Sequence, residues 1–534
     1  MKNKKQSGSY YTPPRLADLV ADYCLSKIKP QKNISVLEPS AGDGSFINAI
    51  SNSKQLSKFE NIKITAVEQN NDELSKIKNL TINSKIKLKA IHSDYLNFHY
   101  EQNILYSLYI GNPPYVKKTL LNNEQKLLCK NIHIDKNLSD RSINNIWTSF
   151  LISGLSKLVK DGILALILPL ELLQVKFTQE IRNLLKLEFD RIEIFTFNEL
   201  QFQECKGQDT VLLIGYKKHL QKGTFYTNIV SLDQMESNNF EFSQNAALAT
   251  SDKKWTHHFI TPEEYGFLEA IKERLKNVTD IVTNKAGIVT AANSFFIVNN
   301  EIIEKYSFQN FAKPIVQKGL YVNGSISFNN DDFKNLIKDN KPCYLLDFNE
   351  LSEDLLTPQL KEYFEIGVSK NLHIGFKAKQ RERWYKVPNI AEIPQAFFFK
   401  RAHDYPKLIK NDAKVRVTDS AYKIHINEGY SLDNFIFSFY NSLTLTFAEL
   451  EGRYYGGGVL ELTPNEFRTL PIPYVNCNDF DQFRIKFENK NSIEEILNQN
   501  NFQILNSSIG LNIDEINRIE HIRRKLINKR KKND

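Results

Sequence analysis

At 534 residues the chain is too long for one hydrophobic core, so two or more domains are expected. Apolar residues at 41% and charged residues at 25% describe an ordinary globular protein; no run approaches the roughly 20 apolar residues of a membrane helix, and the opening MKNKKQSGSYYTPP lacks the apolar core of a signal peptide. No membrane association is expected and a cytoplasmic location is, while a net charge of +8 is compatible with a polyanionic partner without identifying one.

In chain order, PRLADLVADYCLSKI has the three- and four-residue apolar spacing of a helix. Seven strands follow, at ISVLEPS, KITAVEQN, IKLKAIHSD, SLYIGN, GILALILP, RIEIFTF and DTVLLIGYKK, with helical segments among them. One of these, INNIWTSFLISGLSKLVKD, is expected to stop at Asp161-Gly162. Such alternation predicts an α/β fold: a seven-stranded, mostly parallel Rossmann-like sheet with helices on both faces and an antiparallel final strand. Residues 1–232 form this first domain, and the polar, aperiodic stretch 233–254 reads as a linker. Residues 255–534 mix short aromatic and β-branched runs with Gly/Pro turns, predicting a mixed α/β domain closed by a helix with a basic tail. That tail is equally a solvated terminus or a phosphate contact. Cys24, Cys129, Cys205, Cys343 and Cys477 lie far apart without metal-type spacing, so reduced thiols and no metal site are expected.

Four signals fall at carboxyl ends of predicted strands, where open α/β sheets bind ligands. In VLEPSAGDGSF, Glu38 ends a strand, Ser40 follows, and Gly42 and Gly44 allow close backbone approach at a helix start. This is neither a dinucleotide GxGxxG nor a Walker loop, so phosphate binding is disfavoured. In AVEQN, Glu68, followed by Gln69, is placed to accept both hydroxyls of a ribose. In HSDYL, Asp94 is placed to accept from an adenine amino group while Tyr95 packs on the ring. One acid at a strand end is commonly just a helix cap; three in succession are harder to dismiss.

The fourth signal is GNPPYV. Pro113 and Pro114 cannot continue a sheet and stiffen the turn. Asn112 and the Pro113 carbonyl then present two acceptors in fixed relation, suited to the two hydrogens of an –NH₂ group, with Tyr115 as an aromatic plate.

With these motifs in the order TPPRLADLV, EPSAGDGSF, VEQN, SDYL, NPPY and FQ near 202, the first domain resembles the γ-class, Taq-type DNA adenine-N(6) methyltransferases. The resemblance implies S-adenosylmethionine as cofactor. It implies that Thr12, Glu38 and Ser40 lie at the methionine part, Gly42 and Gly44 in the cofactor turn, Glu68 with Gln69 at the ribose, and Asp94 with Tyr95 at the adenine. Asn112, Pro113, Pro114 and Tyr115 become the catalytic turn, with Pro114 also binding the cofactor, and Phe202 in NELQFQE the second aromatic against the target base. Transfer is then direct; the Pro342-Cys343 dipeptide, which a cytosine-carbon enzyme would need as nucleophile, lies far from the motifs and reads as incidental.

Enzymes that methylate glutamine amides in protein also carry the NPPY turn, and some RNA enzymes carry a near relative of it. The large second domain argues instead for double-stranded DNA, making 255–534 a target-recognition domain. HIGFKAKQRERWYKVP places Lys377, Lys379, Arg381, Arg383 and Lys386 around Trp384 and Tyr385, against the reading of a plain solvated face. GRYYGGGVLELTP resembles the family's recognition regions, its glycines serving either DNA approach or a simple loop. The long polar stretch after the catalytic turn, VKKTLLNNEQKLLCKNIHIDKNLSDRS, is expected to be a mobile loop ordering over DNA. The expectation is a nucleoid-associated, monomeric enzyme, alone or paired with a separate restriction nuclease, without a fused one. An RNA or protein-amide methyltransferase, or a non-catalytic binding subunit, is the alternative.

Overall fold

The computed structural model describes residues 11–199, 209–244, 253–322, 324–352 and 356–532. The chain divides into two compact units: residues 1–266 with 454–458 and 528–534, and residues 267–453 with 459–527.

The first unit is built on one sheet. Its strands are β1 (Gln31–Glu38), β2 (Phe59–Glu68), β3 (Ile86–His92), β4 (Tyr106–Gly111), β5 (Leu158–Pro169), β6 (Arg191–Phe197), β7 (Thr210–Tyr216), β8 (Gly223–Ile229) and β9 (Ser243–Gln244). They lie in the order β3-β2-β1-β4-β5-β7-β6-β8-β9. Pairing is parallel from β3 through β5 and between β6 and β8. It is antiparallel where β7 inserts between β5 and β6 and where β9 closes the edge. All seven expected strands are present, but the sheet has nine: GTFYTNI, with buried Thr224, Tyr226, Thr227 and Ile229, pairs with β6, and Ser243–Gln244 pairs with β8.

Helices α1 (Pro14–Lys27), α2 (Ser45–Ser51), α3 (Asn71–Lys78) and α4 (Tyr95–Glu101) alternate with β1 to β4. The central strands read as near-continuous aliphatic runs because both faces are covered; Val36, Leu108, Ala165 and Ile214 share one core with Leu16, Val20 and Cys24 of α1.

Two boundaries differ from the sequence reading. The helix before β5 is α6 (Trp147–Ser156), following α5 (Asn123–Ile134), and it ends five residues before Asp161. Lys157 turns its buried ammonium onto the carbonyls of His99 and Gln102. Leu158 then pairs with Tyr106, and Asp161-Gly162 falls inside β5 as a register irregularity. Lys157 thus ends the helix by capturing carbonyls from a neighbouring segment, which local spacing does not reveal. The proposed linker is the second difference. Residues 232–236 form a helix, and Phe240 and Phe242 pack their rings 5.5 and 5.3 Å from Phe195. Residues 233–244 therefore belong to the first unit, held by aromatic packing that the polar composition hides.

The basic tail is also integrated. Lys529 is half-buried against Thr196 Oγ1 and Asn228 Oδ1, Arg530 donates to the Gly458 carbonyl, and Lys532 pairs with Asp209 at 2.6 Å. These cations are internal ties of the first unit rather than a free phosphate-binding run.

The second unit contains a five-stranded, mainly antiparallel sheet in the order Val282–Ala286, Ala421–Ile426, Ala396–Phe399, Lys407–Asn411, Ser327–Phe328. A four-stranded sheet orders Ile297–Val298, Tyr344–Leu346, Ala312–Val316 and Arg416–Val417. Helix Ser442–Glu451 is almost wholly buried, helix Leu432–Phe439 is buried from Phe435 onward, and buried Arg523 of the long helix Ile513–Lys531 bridges Glu520 and Glu494. Among the described residues no helix is long and apolar enough to cross a membrane.

Candidate active site

The strand order reverses direction between β1 and β4, and that switch point is where an open α/β sheet leaves a crevice at its carboxyl edge. The first and fourth motifs meet there. Ser40 Oγ donates to the backbone carbonyl of Asn112 at 3.2 Å. At Gly111 a Cβ would lie only 3.2 Å from Pro39 Cδ, so the two strand ends are in close contact.

The glycine turn is anchored to the second motif. Gly42, at φ +53°, donates its N–H to Glu68 Oε2 at 2.9 Å, and Asn70 donates to Glu68 Oε1 at 2.7 Å. Both oxygens keep further acceptor capacity for a ligand. Gly44, at φ +83°, starts α2 in the left-handed region that a side chain resists. A Cβ on Gly42 would sit 3.3 Å from the Tyr11 ring, which therefore packs against this turn.

Glu38 is 2% exposed and its Oε2 is buried without a hydrogen-bond partner among the described residues. Burial first, then Asp43 and Glu68, raise its pKa well above the ordinary 4.5; burial also raises Glu68. Three carboxylates around one glycine turn repel a phosphate and call for a cationic, hydrogen-donating ligand. Thr12, also buried, precedes α1, while Gln69 is exposed and its carbonyl meets His92 Nε2.

Asp94 caps α4 through Leu96 N at 2.8 Å, and its Oδ2 accepts from Gln125 Nε2 of α5 at 2.9 Å. Gln125 was not singled out from the sequence, although the Asn122-x-x-Gln125 capping box that positions it is readable there. Tyr95, at the first position of α4, packs into the core. It is 3% exposed, its ring centroid lies 4.7 Å from that of Phe150, and its hydroxyl meets Ser153 Oγ at 2.6 Å. These contacts give the ring a structural role in the core. Tyr95→Phe is therefore expected to cost about 1 kcal/mol of stability, the value of one buried hydrogen bond, and to leave ligand affinity unchanged. A calorimetric affinity lowered tenfold in a folded variant would return Tyr95 to the site.

The NPPY turn follows β4 directly. Pro113 is buried, Asn112, Pro114 and Tyr115 are partly exposed, and the Tyr115 hydroxyl donates to the Ile167 carbonyl of β5 at 3.1 Å. That bond anchors one end of the ring. Phe202 lies outside the described residues.

The stretch after the turn is a folded excursion, not the expected mobile loop. Ile146 N donates to the Val116 carbonyl and Lys118 N to the Asn144 carbonyl, each at 2.9 Å, closing its ends. Within it His133, fully buried, sits between Ser142 Oγ at 2.6 Å and Thr148 Oγ1 at 3.2 Å, and burial lowers its pKa to about 3. The polar composition conceals this internal pairing.

The basic-aromatic stretch of the second unit separates into two parts. Arg381 donates to the carbonyls of Trp384, Val289 and Thr290; Tyr385 stacks on Phe364 at 4.4 Å; Lys386 pairs with Glu382. Tyr385 is thus part of the core, while Trp384 is half-buried beside it. Lys377, Lys379 and Arg383 are exposed. Cys343 is fully buried and burial pushes its thiol up to about 12, unfit for a nucleophile. In the glycine stretch, Tyr454 exchanges both backbone hydrogen bonds with the Gln174 side chain at 2.8 Å, tying residues 454–458 into the first unit.

Residues 27–202 match the family described as Eco57I restriction-modification methylase, and residues 252–505 match the Type II methyltransferase M.Eco57I, C-terminal domain. The chain is 23% identical over 484 residues to the Type II methyltransferase M.AccI of Acinetobacter calcoaceticus, covering 87% of this chain and 85% of that protein. It is 23% identical over 351 residues to the Type II methyltransferase M.BanIII of Aneurinibacillus aneurinilyticus, where it covers 55% of this chain and 58% of the relative. In fold it is similar to the Type IIL restriction-modification enzyme MmeI, solved in complex with DNA, with a TM-score of 0.57, 11% identity, and coverage of 96% of this chain and 75% of that one.

Proposed function

We propose, from the premise that this chain belongs to the type II restriction-modification methyltransferase family of the Eco57I kind, that it methylates the exocyclic amino group of an adenine turned out of duplex DNA. The proposed cofactor is S-adenosylmethionine, whose sulfonium supplies an electrophilic methyl group when bound. The observation that carries this reading is the acidic crevice: Glu38 with its unpartnered buried oxygen, Glu68 fixed by two backbone N–H groups, and the NPPY turn bonded to Ser40 across the switch point.

Glu38 would hold the ammonium of the cofactor, Glu68 its ribose hydroxyls and Asp94 its adenine amino group, with Thr12, Ser40, Gly42, Gly44 and Gln69 shaping the surround. Turning a base out of the duplex costs a few kcal/mol, which stacking on Tyr115, and on Phe202, offsets. Asn112 Oδ1 and the Pro113 carbonyl accept the two amino hydrogens, and Pro114 stiffens the turn. Held so, the nitrogen's lone pair is withdrawn from the ring and directed at the electrophile, and the proton leaves to solvent after transfer. The second unit is the proposed target-recognition domain. A cytoplasmic location and a separate cognate nuclease belong to the same proposal.

Incubating the full chain with radiolabelled S-adenosylmethionine and unmethylated plasmid DNA, then digesting to nucleosides, tests the reading directly. Label in N6-methyladenine is expected. Label in cytosine, in RNA or in protein with none in DNA overturns it.

The protonated state of Glu38 adds a pH signature. Between the ordinary carboxylate value of 4.5 and its raised value, the free protein holds a proton that a bound cation displaces. Cofactor affinity is thus expected to rise with pH through that window and level off above it. Calorimetry in two buffers of different ionisation heat measures the released proton; no release at any acidic pH removes Glu38 from the ammonium contact.

A further inference from the structure

The second unit holds a cavity of about 670 Å³ to which neither family match assigns a role. Thr290, Asn293, Phe376, Lys377, Trp384 and Asp419 are among its lining residues. Trp384 forms a fixed wall: a Cβ on Gly367 would lie 2.2 Å from its ring, and its centroid is 5.2 Å from that of Phe295. Opposite in character is Phe376, which is 79% exposed in a segment without regular strands, next to exposed Lys377 and close to exposed Lys379.

Three polar groups of the lining are unspent, whereas Arg381, also in it, is held by the carbonyls of Trp384, Val289 and Thr290. Asn293 Oδ1 accepts the Thr290 hydroxyl, which orients the amide; its N–H groups, the Asp419 carboxylate and the Lys377 ammonium have no hydrogen-bond partner among the described residues. An amide, a carboxylate and an ammonium are the side-chain types that read adenine, cytosine and guanine edges. Ala291, between Thr290 and the cavity wall at Ala292, is held at φ +66°, a strained conformation for a residue with a Cβ. Exposed cations beside the opening match a polyanion, and an exposed aromatic tip matches the apolar contacts made with bases.

We infer that this cavity is a base-reading site for duplex DNA, with Asn293 and Asp419 determining the recognised sequence, Phe376 making an apolar base contact, and Lys377 and Lys379 holding phosphates. The inference rests on the DNA-methyltransferase reading and names the surface through which that enzyme chooses its site.

The test uses the full chain, S-adenosylmethionine and unmethylated plasmid DNA, with methylated adenines mapped by sequencing. Wild-type protein defines the motif. Asn293→Ala and Asp419→Ala are each expected to relax the motif at one position, with discrimination there falling by about tenfold. Phe376→Ala is expected to weaken binding to a labelled duplex carrying the motif by about tenfold. Lys377→Ala with Lys379→Ala should lower the salt-dependence slope by about 2. Cofactor affinity and melting temperature stay at wild-type values, which separates a recognition defect from misfolding. Variants that keep the wild-type motif, duplex affinity and salt slope overturn the inference while the enzymatic reading stands. Loss of self-association in Phe376→Ala, with DNA binding intact, overturns it in favour of a contact between copies. Wild-type protein that methylates no DNA overturns both.

Discussion

Asn112→Ala is expected to abolish methyl transfer while leaving cofactor affinity within about twofold of wild type, a separation that follows from where the side chain lies. The Ser40 hydroxyl bonds the Asn112 backbone carbonyl, not its side chain, so the contact between the first and fourth motifs survives the substitution. Pro113, buried, continues to set the path of the turn. What disappears is one of two acceptors for the target amino group, and with it the restraint that frees the nitrogen lone pair. Losing one preorganised hydrogen-bonding group of this kind costs about 10² to 10³ in kcat. Single-turnover kinetics at saturating cofactor measures the effect without contribution from product release. Residual transfer within tenfold of wild type would show that the side-chain oxygen of Asn112 does not hold the amine. Cofactor affinity that falls with turnover would instead show that the turn is a cofactor wall.

The strands of the first unit were legible because a parallel sheet covered on both faces demands unbroken aliphatic runs, and GILALILP or DTVLLIGYKK permit little else. Their carboxyl-end motifs were legible for a related reason. Gly42, Gly44, Pro113 and Pro114 carry backbone constraints that few other residues can meet, so they announce turns wherever they occur. Long-range pairing was not legible. Whether Tyr95 faces a ligand or Ser153 and Phe150 depends on where α6 packs, and no local pattern encodes that. The same holds for Lys157, whose ammonium ends a helix by reaching carbonyls more than 50 residues earlier. It holds again for Lys529, which looks like one charge in a basic run yet is half-buried between Thr196 and Asn228, with desolvation lowering its pKa to about 7. Polar composition misleads in both directions: the stretch after the NPPY turn folds around a buried histidine, whereas the exposed Phe376 sits among charges. The turns at Gly42, Gly44 and the proline pair follow from local backbone chemistry; side chains that act at long range needed the fold.

Glu68→Ala is expected to produce the complementary phenotype, with cofactor affinity lost and turnover recovered at saturation. Each carboxylate oxygen already accepts one backbone N–H, from Gly42 at 2.9 Å and from Asn70 at 2.7 Å, so the residue does two things at once. It fixes the glycine turn, and in the proposed function it offers its remaining lone pairs to the ribose. A hydrogen bond to a charged acceptor contributes about 1.5 to 3 kcal/mol, so losing two ligand hydroxyl bonds corresponds to at least about a hundredfold in Kd. Glu68→Gln is the sharper variant. An amide nitrogen in place of either oxygen would point hydrogens at the N–H of Gly42 or of Asn70, so the near-isosteric change should disturb the turn nearly as much as alanine does. A carboxylate that merely packed in the crevice would tolerate it. Calorimetric titration with S-adenosylhomocysteine, which lacks the reactive methyl group, compares the three proteins without turnover. Wild-type affinity in Glu68→Gln would mean that the ribose is held elsewhere. Weakened binding in both variants, with Asn112→Ala unaffected in the same titration, would assign the two ends of the crevice to cofactor and to target base separately.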